Sequence, residues 1–178
     1  DFYGRDAFMV AKNFLDNANE KEYATVGYEA IKTMTENGSV KRGVIVSDNG
    51  NLVSMTESSI IEEGDKISCS PLSGAEPFYI EKNALVSMNM LIFDKSIFAY
   101  LEEKIVDFFK ANEGNLEKCE FLIPDMLDQA NKEGYAKVKV LHTDATWYGV
   151  TYKEDTEYVK SALKKLTEDE TYPNNLWG

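Results

Sequence analysis

Hydrophobic residues recur at helical spacing in four parts of the chain. The first predicts an amphipathic helix over residues 6–16, with Asp6 as its N-cap. A longer apolar face predicts a helix over Ser96–Ala111. Pro124 begins a third helix, which Gly134 ends, and Asp155 caps a fourth. The longest face comprises Ile97, Phe98, Leu101, Ile105, Phe108 and Phe109.

Alternating or continuous apolar runs between these helices predict β-strands. Residues 43–46 and 52–55 flank the sequence Ser-Asp-Asn-Gly-Asn, which is a strong hairpin signal because Asn-Gly accepts positive φ angles. Residues 84–93 form an apolar run typical of a buried central strand. Further strands are predicted over residues 23–30, 66–70, 77–81, 136–141 and 147–152. Because strands and helices are mixed, the pattern predicts the α/β class, with a mixed sheet flanked by helices.

The composition and the net charge argue against some classes of binding partner. Hydrophobic residues make up 43% and charged residues 28%, so the chain has enough apolar residues to form a core. The net charge of −12, with only two arginines, argues against nucleic acid and anionic membranes as partners. Two cysteines and one histidine cannot build a Cys/His zinc site. We therefore expect a cytoplasmic protein that binds neither nucleic acid nor membranes.

The residues provide few candidates for acid–base or covalent catalysis. No serine or cysteine has the setting of an activated nucleophile, and the chain has no glycine-rich phosphate loop. His142 lies in a strand-like alternation, which favours a structural role. Two carboxylates are better placed, because Asp1 precedes Phe-Tyr-Gly and Glu57 lies at the end of the hairpin strand. Catalytic residues therefore stay unknown at this point.

Several motifs together carry a resemblance to a known family. They are DFYGRDAF at residues 1–8, ENGSVKRGV at 36–44, VSMNM at 86–90 with the following Phe93 and SIF, and WYGVTYKED at 147–155 with the closing tail. In this order and spacing they resemble sugar-nucleotide pyrophosphorylases, which are nucleotidyltransferases of the nucleotide-diphospho-sugar transferase fold. The resemblance implies the sugar-binding portion of that fold. It also implies that residues 1–178 form one domain, the C-terminal part of a longer enzyme whose nucleotide-binding part is absent here.

The resemblance also implies an activity and a substrate site. Such enzymes join a nucleoside triphosphate to a sugar 1-phosphate and release pyrophosphate, a reaction that depends mainly on positioning. By this resemblance Gly43 offers its backbone to the sugar and Glu57 accepts hydrogen bonds from sugar hydroxyls. Ser87 and Asn89 lie on the wall of the same pocket.

The metal site is implied in the same way. The family uses Mg²⁺, and its metal-binding aspartate corresponds to Asp1 or its neighbour. Where relatives place the second metal ligand, this chain has Gly-Val-Thr ending at Thr151, a poor substitute for a carboxylate. Asp144 and Asp155 are the alternatives for that second ligand.

Two other functions stay open. The chain is a non-catalytic module that keeps the sugar-phosphate pocket, or it is an interaction domain in which helix Ser96–Ala111 serves oligomerisation. The identity of the nucleotide, and of the sugar or other phosphorylated alcohol, is left open as well. Homo-oligomers are compatible with all of these functions.

Overall fold

The computed structural model describes residues 1–35, 38–150 and 152–175 of the chain. Its α-helices in chain order are α1 (Arg5–Leu15), α2 (Ser96–Ala111), α3 (Ile123–Lys132) and α4 (Asp155–Glu168). A short 3-10 helix spans Ala30–Thr33. The strands are β1 (Glu22–Glu29), β2 (Val40–Asp48), β3 (Asn51–Glu63), β4 (Lys66–Pro71), β5 (Phe78–Glu81), β6 (Leu85–Ile92) and β7 (Lys137–His142). The hairpin expected at Asn-Gly is confirmed as the β2–β3 turn, where Gly50 has a φ of 74°.

The strands form one sheet that closes on itself. Their order is β2-β6-β1-β7-β3-β4-β5, and β3 also pairs with β2. Strands β2, β6, β1, β7 and β3 therefore make a closed five-stranded barrel, from which β4 and β5 extend. Only the β1–β7 pair is parallel among the strands of the described chain.

The expected mixed sheet flanked by helices, resembling the sugar-binding portion of the nucleotide-diphospho-sugar transferase fold, is wrong, because the sheet closes into a barrel. Strand β3 overturns it, because its thirteen residues pair with three strands, β2, β4 and β7. It pairs with β2 from Ile60 to Asn51 and meets β7 where Asn51 lies opposite Lys139. The coarser α/β class is correct. Local patterns reveal strands and a hairpin, whereas the pairing that closes the sheet joins residues far apart in sequence.

The strand residues divide between two hydrophobic clusters, and different helices join each cluster. Ala7 and Ala11 of α1 belong to the cluster that includes Val26 and Val44. Ile97 of α2 and Leu127 of α3 belong to the other cluster. Since neighbouring residues of a strand point to opposite faces, the central strands bury side chains on both of their faces.

Helix α2 buries less of its apolar face than the sequence predicts. Ile97 is buried as expected, but Phe98 is 72% exposed and Phe109 is 51% exposed. Tyr100, which was not included in the predicted apolar face, is 2% exposed, and its hydroxyl donates to Glu133 at 3.0 Å. Within the described residues no helix combines the length and apolar character needed to cross a membrane.

The covering role of α3 can be tested by truncating Leu127. This side chain is fully buried, so Leu127→Ala leaves a cavity and should lower the free energy of unfolding by about 2–5 kcal/mol. Phe98→Ala on α2 is the control and should change it by less than about 0.5 kcal/mol. Urea denaturation measures both. Equal stabilities of the two variants would contradict the packing of α3 on the sheet.

Candidate functional site

A pocket of about 500 Å³ opens beside the start of α4. Its walls come from the 3-10 helix and the loop after it, from strand β2, from Glu62 of strand β3, from residues 147–149 and from the start of α4. The residues important for its chemistry are Thr33, Arg42, Trp147, Tyr148, Asp155 and Tyr158. The pocket is large enough to hold a small metabolite.

The guanidinium of Arg42 is the cation of this pocket. Arg42 is only 7% exposed, and burial lowers its pKa to about 10 although nearby Glu57 opposes that shift. Its Nε donates to the Thr33 hydroxyl at 3.2 Å, Nη2 donates to the Thr33 carbonyl at 2.5 Å, and Nη1 donates to the Lys41 carbonyl at 2.8 Å. No carboxylate in the described part of the chain forms an ion pair with it. Within the described ranges the guanidinium therefore has no carboxylate at ion-pair distance, and Glu57 acts on it only through a longer-range electrostatic interaction.

The indole of Trp147 stacks over this guanidinium. The central carbon of Arg42 lies 4.8 Å from the ring centroid, a cation–π distance. Gly149 lies directly under the ring, because a Cβ there would come within 2.0 Å of the indole Cη2. The indole Nε1 is buried, and no described residue accepts a hydrogen bond from it. A buried donor without a partner is costly, which makes it a candidate for contact with a ligand.

The first turn of α4 supplies an acidic and aromatic wall. The Asp155 carboxylate is 7% exposed and accepts hydrogen bonds from the Thr35 hydroxyl and the Tyr152 amide, both at 2.8 Å. The prediction that Asp155 caps this helix is wrong, because Glu154 is the N-cap, no side chain caps it, and Asp155 is the first helical residue. The Tyr148 and Tyr158 rings lie 6.1 Å apart, and Tyr158 is 66% exposed. These aromatic faces suit the apolar face of a ring-shaped ligand.

Three of the four predicted substrate residues lie in one row on the other face of β2. Gly43 pairs with Glu57 on one side and with Ser87 on the other. A Cβ at position 43 would approach the Glu57 Oε1 to 2.8 Å, so glycine leaves room for this carboxylate. Burial raises the pKa of Glu57, the charge of Asp125 raises it further, and Arg42 opposes both. Glu57 is thus perturbed electrostatically, but it does not line the pocket beside Arg42.

The two residues predicted to form the pocket wall, Ser87 and Asn89, differ in exposure. Ser87 is 2% exposed, and its Oγ accepts hydrogen bonds from the Thr25 hydroxyl at 3.2 Å and the Asn89 amide at 3.3 Å. Asn89, which was expected to be buried, is exposed and has a φ of 62°. Asparagine tolerates this left-handed conformation, which provides a backbone reason for its presence inside a strand.

The predicted Mg²⁺ ligands are described only in part. Phe2 and Tyr148 exchange two backbone hydrogen bonds, of 2.8 and 3.0 Å, so Asp1 lies beside Gly149. Asp1 is exposed, Gly149 has no side chain, and Thr151 lies outside the described residues. Asp155 is already held by Thr35 and Tyr152. The residues described around Asp1 do not provide the several oxygen ligands that Mg²⁺ needs, so Mg²⁺ stays a prediction and no step depends on it.

No protein-family model matches the chain, and no curated protein matches its sequence significantly. Membership of the nucleotidyltransferase family therefore stays a prediction from the motifs.

The two donors of the pocket, Arg42 and Trp147, were present in the motifs, but they were not chosen as site residues. Arg42 belongs to the ENGSVKRGV segment, and Trp147 opens WYGVTYKED. One signal was available, because Arg42 is one of only two arginines and lies beside an apolar run in a predicted strand. Its burial depends on Thr33 and Trp147, which are distant in sequence and meet it only through the fold.

The raised pKa of Glu57 predicts a pH-dependent stability. The folded protein holds this proton more tightly than the unfolded chain, so stability falls as pH rises through the window above the ordinary Glu pKa of about 4.3. Glu57→Gln removes the buried charge. Its free energy of unfolding relative to wild type should therefore increase between pH 4 and pH 7, as measured by urea denaturation.

The exposed Glu76 provides the control for this measurement. Glu76→Gln should stay within about 0.5 kcal/mol of wild type at both pH values. A Glu57→Gln difference that is equally small at both pH values would contradict the burial of the Glu57 charge.

Proposed function

We propose that the chain binds a sugar phosphate in the pocket beside Arg42 and supplies the sugar-phosphate side of a cytoplasmic nucleotidyl transfer. The observation that carries the binding proposal is the buried Arg42 guanidinium, which faces the pocket without a carboxylate partner among the described residues. The proposal of nucleotidyl transfer rests on the motif resemblance. Neither the binding proposal nor the transfer proposal depends on the predicted flanked sheet, in place of which the protein has a barrel.

The chemistry of the pocket fits the two parts of such a ligand. A guanidinium has five N–H donors, and three protein acceptors engage those of Arg42, which leaves capacity for phosphate oxygens. The unpaired indole N–H of Trp147 offers another donor. The Tyr158 ring can cover the C–H face of a sugar, and Glu154 can accept its hydroxyl hydrogens.

In the proposed transfer these residues bind and orient the substrate. An oxygen of the sugar phosphate attacks the α-phosphorus of a nucleoside triphosphate, and pyrophosphate leaves. Because the nucleophile belongs to the substrate, the chain needs no activated side chain. This agrees with the small number of candidates for acid–base or covalent catalysis in the sequence. The runner-up is a sugar-phosphate-binding module without transfer, which is favoured by the lack of a complete Mg²⁺ ligand set among the described residues.

Substitution of the two donors tests the binding proposal. Glucose 1-phosphate should bind the wild-type chain in a calorimetric titration, whereas glucose should bind much more weakly. Arg42→Lys keeps the charge but loses the planar fork, and it should weaken glucose 1-phosphate binding about tenfold or more. Trp147→Phe keeps an aromatic ring but removes the N–H and should weaken it severalfold. Undiminished affinity in both variants, with folding confirmed by circular dichroism, would contradict the proposed site.

The aromatic wall gives a second test with a matched control. Tyr158→Leu removes an exposed ring from the pocket and should weaken glucose 1-phosphate binding. Tyr79 is 60% exposed on strand β5 and does not line the pocket, so Tyr79→Leu should leave the affinity unchanged. Equal effects of the two substitutions would place the ligand elsewhere.

Pyrophosphate release separates binding from transfer. The 178-residue chain has no glycine-rich loop to hold a triphosphate, so we expect no pyrophosphate from it when a nucleoside triphosphate, Mg²⁺ and glucose 1-phosphate are supplied. Turnover by this chain alone would show that it contains a nucleotide site. That result would contradict the proposal that the chain supplies only the sugar-phosphate side of the reaction.

A further inference from the structure

Three potential metal ligands meet at one end of the barrel, apart from the pocket beside Arg42. They are Glu29, His142 and Asp144, and their ligand atoms all lie within 4.8 Å of one another. The His142 Nε2 lies 3.9 Å from the Glu29 Oε1. Unlike a purely acidic surface cluster, this group combines an imidazole nitrogen with carboxylate oxygens.

The fold brings these ligands together through its single parallel strand pair. Glu29 ends β1 and His142 ends β7, and His142 lies opposite Gly27 in the parallel ladder. The Thr143 amide then donates to the Gly27 carbonyl at 3.1 Å, which continues the pairing past the strand end. Residues that follow two adjacent parallel strands therefore converge on one side of the sheet.

The loop that carries Asp144 is held in place from α1. One oxygen of Asp6 accepts hydrogen bonds from the Thr143 hydroxyl at 2.6 Å and from the Asp144 amide at 3.1 Å. The Ala145 amide in turn donates to the Thr143 hydroxyl at 3.1 Å. The backbone beneath Asp144 is thus fixed by contacts that do not use its carboxylate. Such support for a ligand is what a preorganised metal site requires.

We propose that Glu29, His142 and Asp144 bind a divalent transition metal of the Zn²⁺ type. A tetrahedral ion with bonds of about 2.0–2.2 Å needs ligand atoms roughly 3.4 Å apart, so small side-chain rotations would bring these three into range. His142 and Asp144 are exposed, which leaves a path for the ion and a position for water. The imidazole favours Zn²⁺, Co²⁺ or Ni²⁺ over Mg²⁺.

The ammonium of Lys32 is attracted by the negative charge of this group, so it competes with a metal ion for Glu29. Its ammonium lies 3.3 Å from the Glu29 Oε1 and donates to the Asp144 carbonyl at 3.5 Å. A metal must displace this ammonium from Glu29, so the wild-type site binds with modest affinity. Replacing Lys32 by the uncharged methionine removes the competitor and should strengthen Zn²⁺ binding.

The histidine makes the test selective, because His142 is the only one in the chain. Zn²⁺ is titrated into the chelator-treated 178-residue protein while NMR follows the imidazole resonances. We expect them to shift saturably with one equivalent, and Mg²⁺ at the same concentration to leave them unchanged. This readout also distinguishes the site from binding at Cys119.

Variants decide whether the three side chains act together. Asp144→Asn and Glu29→Gln should each weaken the Zn²⁺-induced imidazole shift about tenfold or more, Lys32→Met should strengthen it, and Glu76→Gln should leave it unchanged. Calorimetry of His142→Ala should show that one Zn²⁺ equivalent is lost. The proposal is overturned by imidazole signals that ignore Zn²⁺, by undiminished binding in Asp144→Asn and Glu29→Gln, or by weaker binding in Lys32→Met.

Discussion

Antiparallel pairing of β2 with β3 is the constraint on which the rest of the molecule depends. The ladder runs from Val40 opposite Ile60 to Asp48 opposite Asn51 and closes the sheet when the same β3 meets β7. It also sets which side chains share a face. Arg42 points to the face with Thr33 and Trp147, whereas Gly43 and Glu57 point to the other. A shift of one residue in this register would exchange the two faces.

The burial of Arg42 opposes folding unless its charge is compensated. Removing a guanidinium from water is unfavourable, and the lowered pKa of Arg42 reflects that cost. Two carbonyl groups, the Thr33 hydroxyl and the Trp147 ring compensate it in part. A bound phosphate would complete the compensation. The pocket is therefore a place where stability and ligand binding are physically linked.

The sequence predicts the local elements of this protein better than their arrangement. Helical spacing and the Asn-Gly turn predict α1, α2 and the β2–β3 hairpin, because the signals lie within a few residues of each other. Closure of the barrel joins β3 to β7, and the exposure of Phe98 and the burial of Arg42 depend on how distant parts of the chain pack. Residues 147–152 were expected to form a strand, yet among those described only Tyr148 forms a bridge, to Phe2.

The candidate site shows the same contrast between local signals, which the sequence contains, and contacts that depend on the fold. The motif resemblance brings attention to Gly43, Glu57 and Ser87, and strand pairing does put these three in one row. The pocket lies on the opposite face, and its donors Arg42 and Trp147 were not chosen as site residues. Alternation along β2 explains this difference, since one residue along a strand changes the face. The sequence likewise did not predict the cluster of Glu29, His142 and Asp144, because these residues meet only where β1 and β7 end side by side.

The indole N–H of Trp147 tests the central claim most directly. The chain has two tryptophans, so an ¹H–¹⁵N spectrum resolves their indole signals, and Trp147→Phe assigns the relevant one. Glucose 1-phosphate should move the Trp147 signal saturably, because its buried N–H gains an acceptor. Glucose at the same concentration should have little effect. A Trp147 signal that stays in place at millimolar glucose 1-phosphate would contradict a sugar-phosphate site beside Arg42.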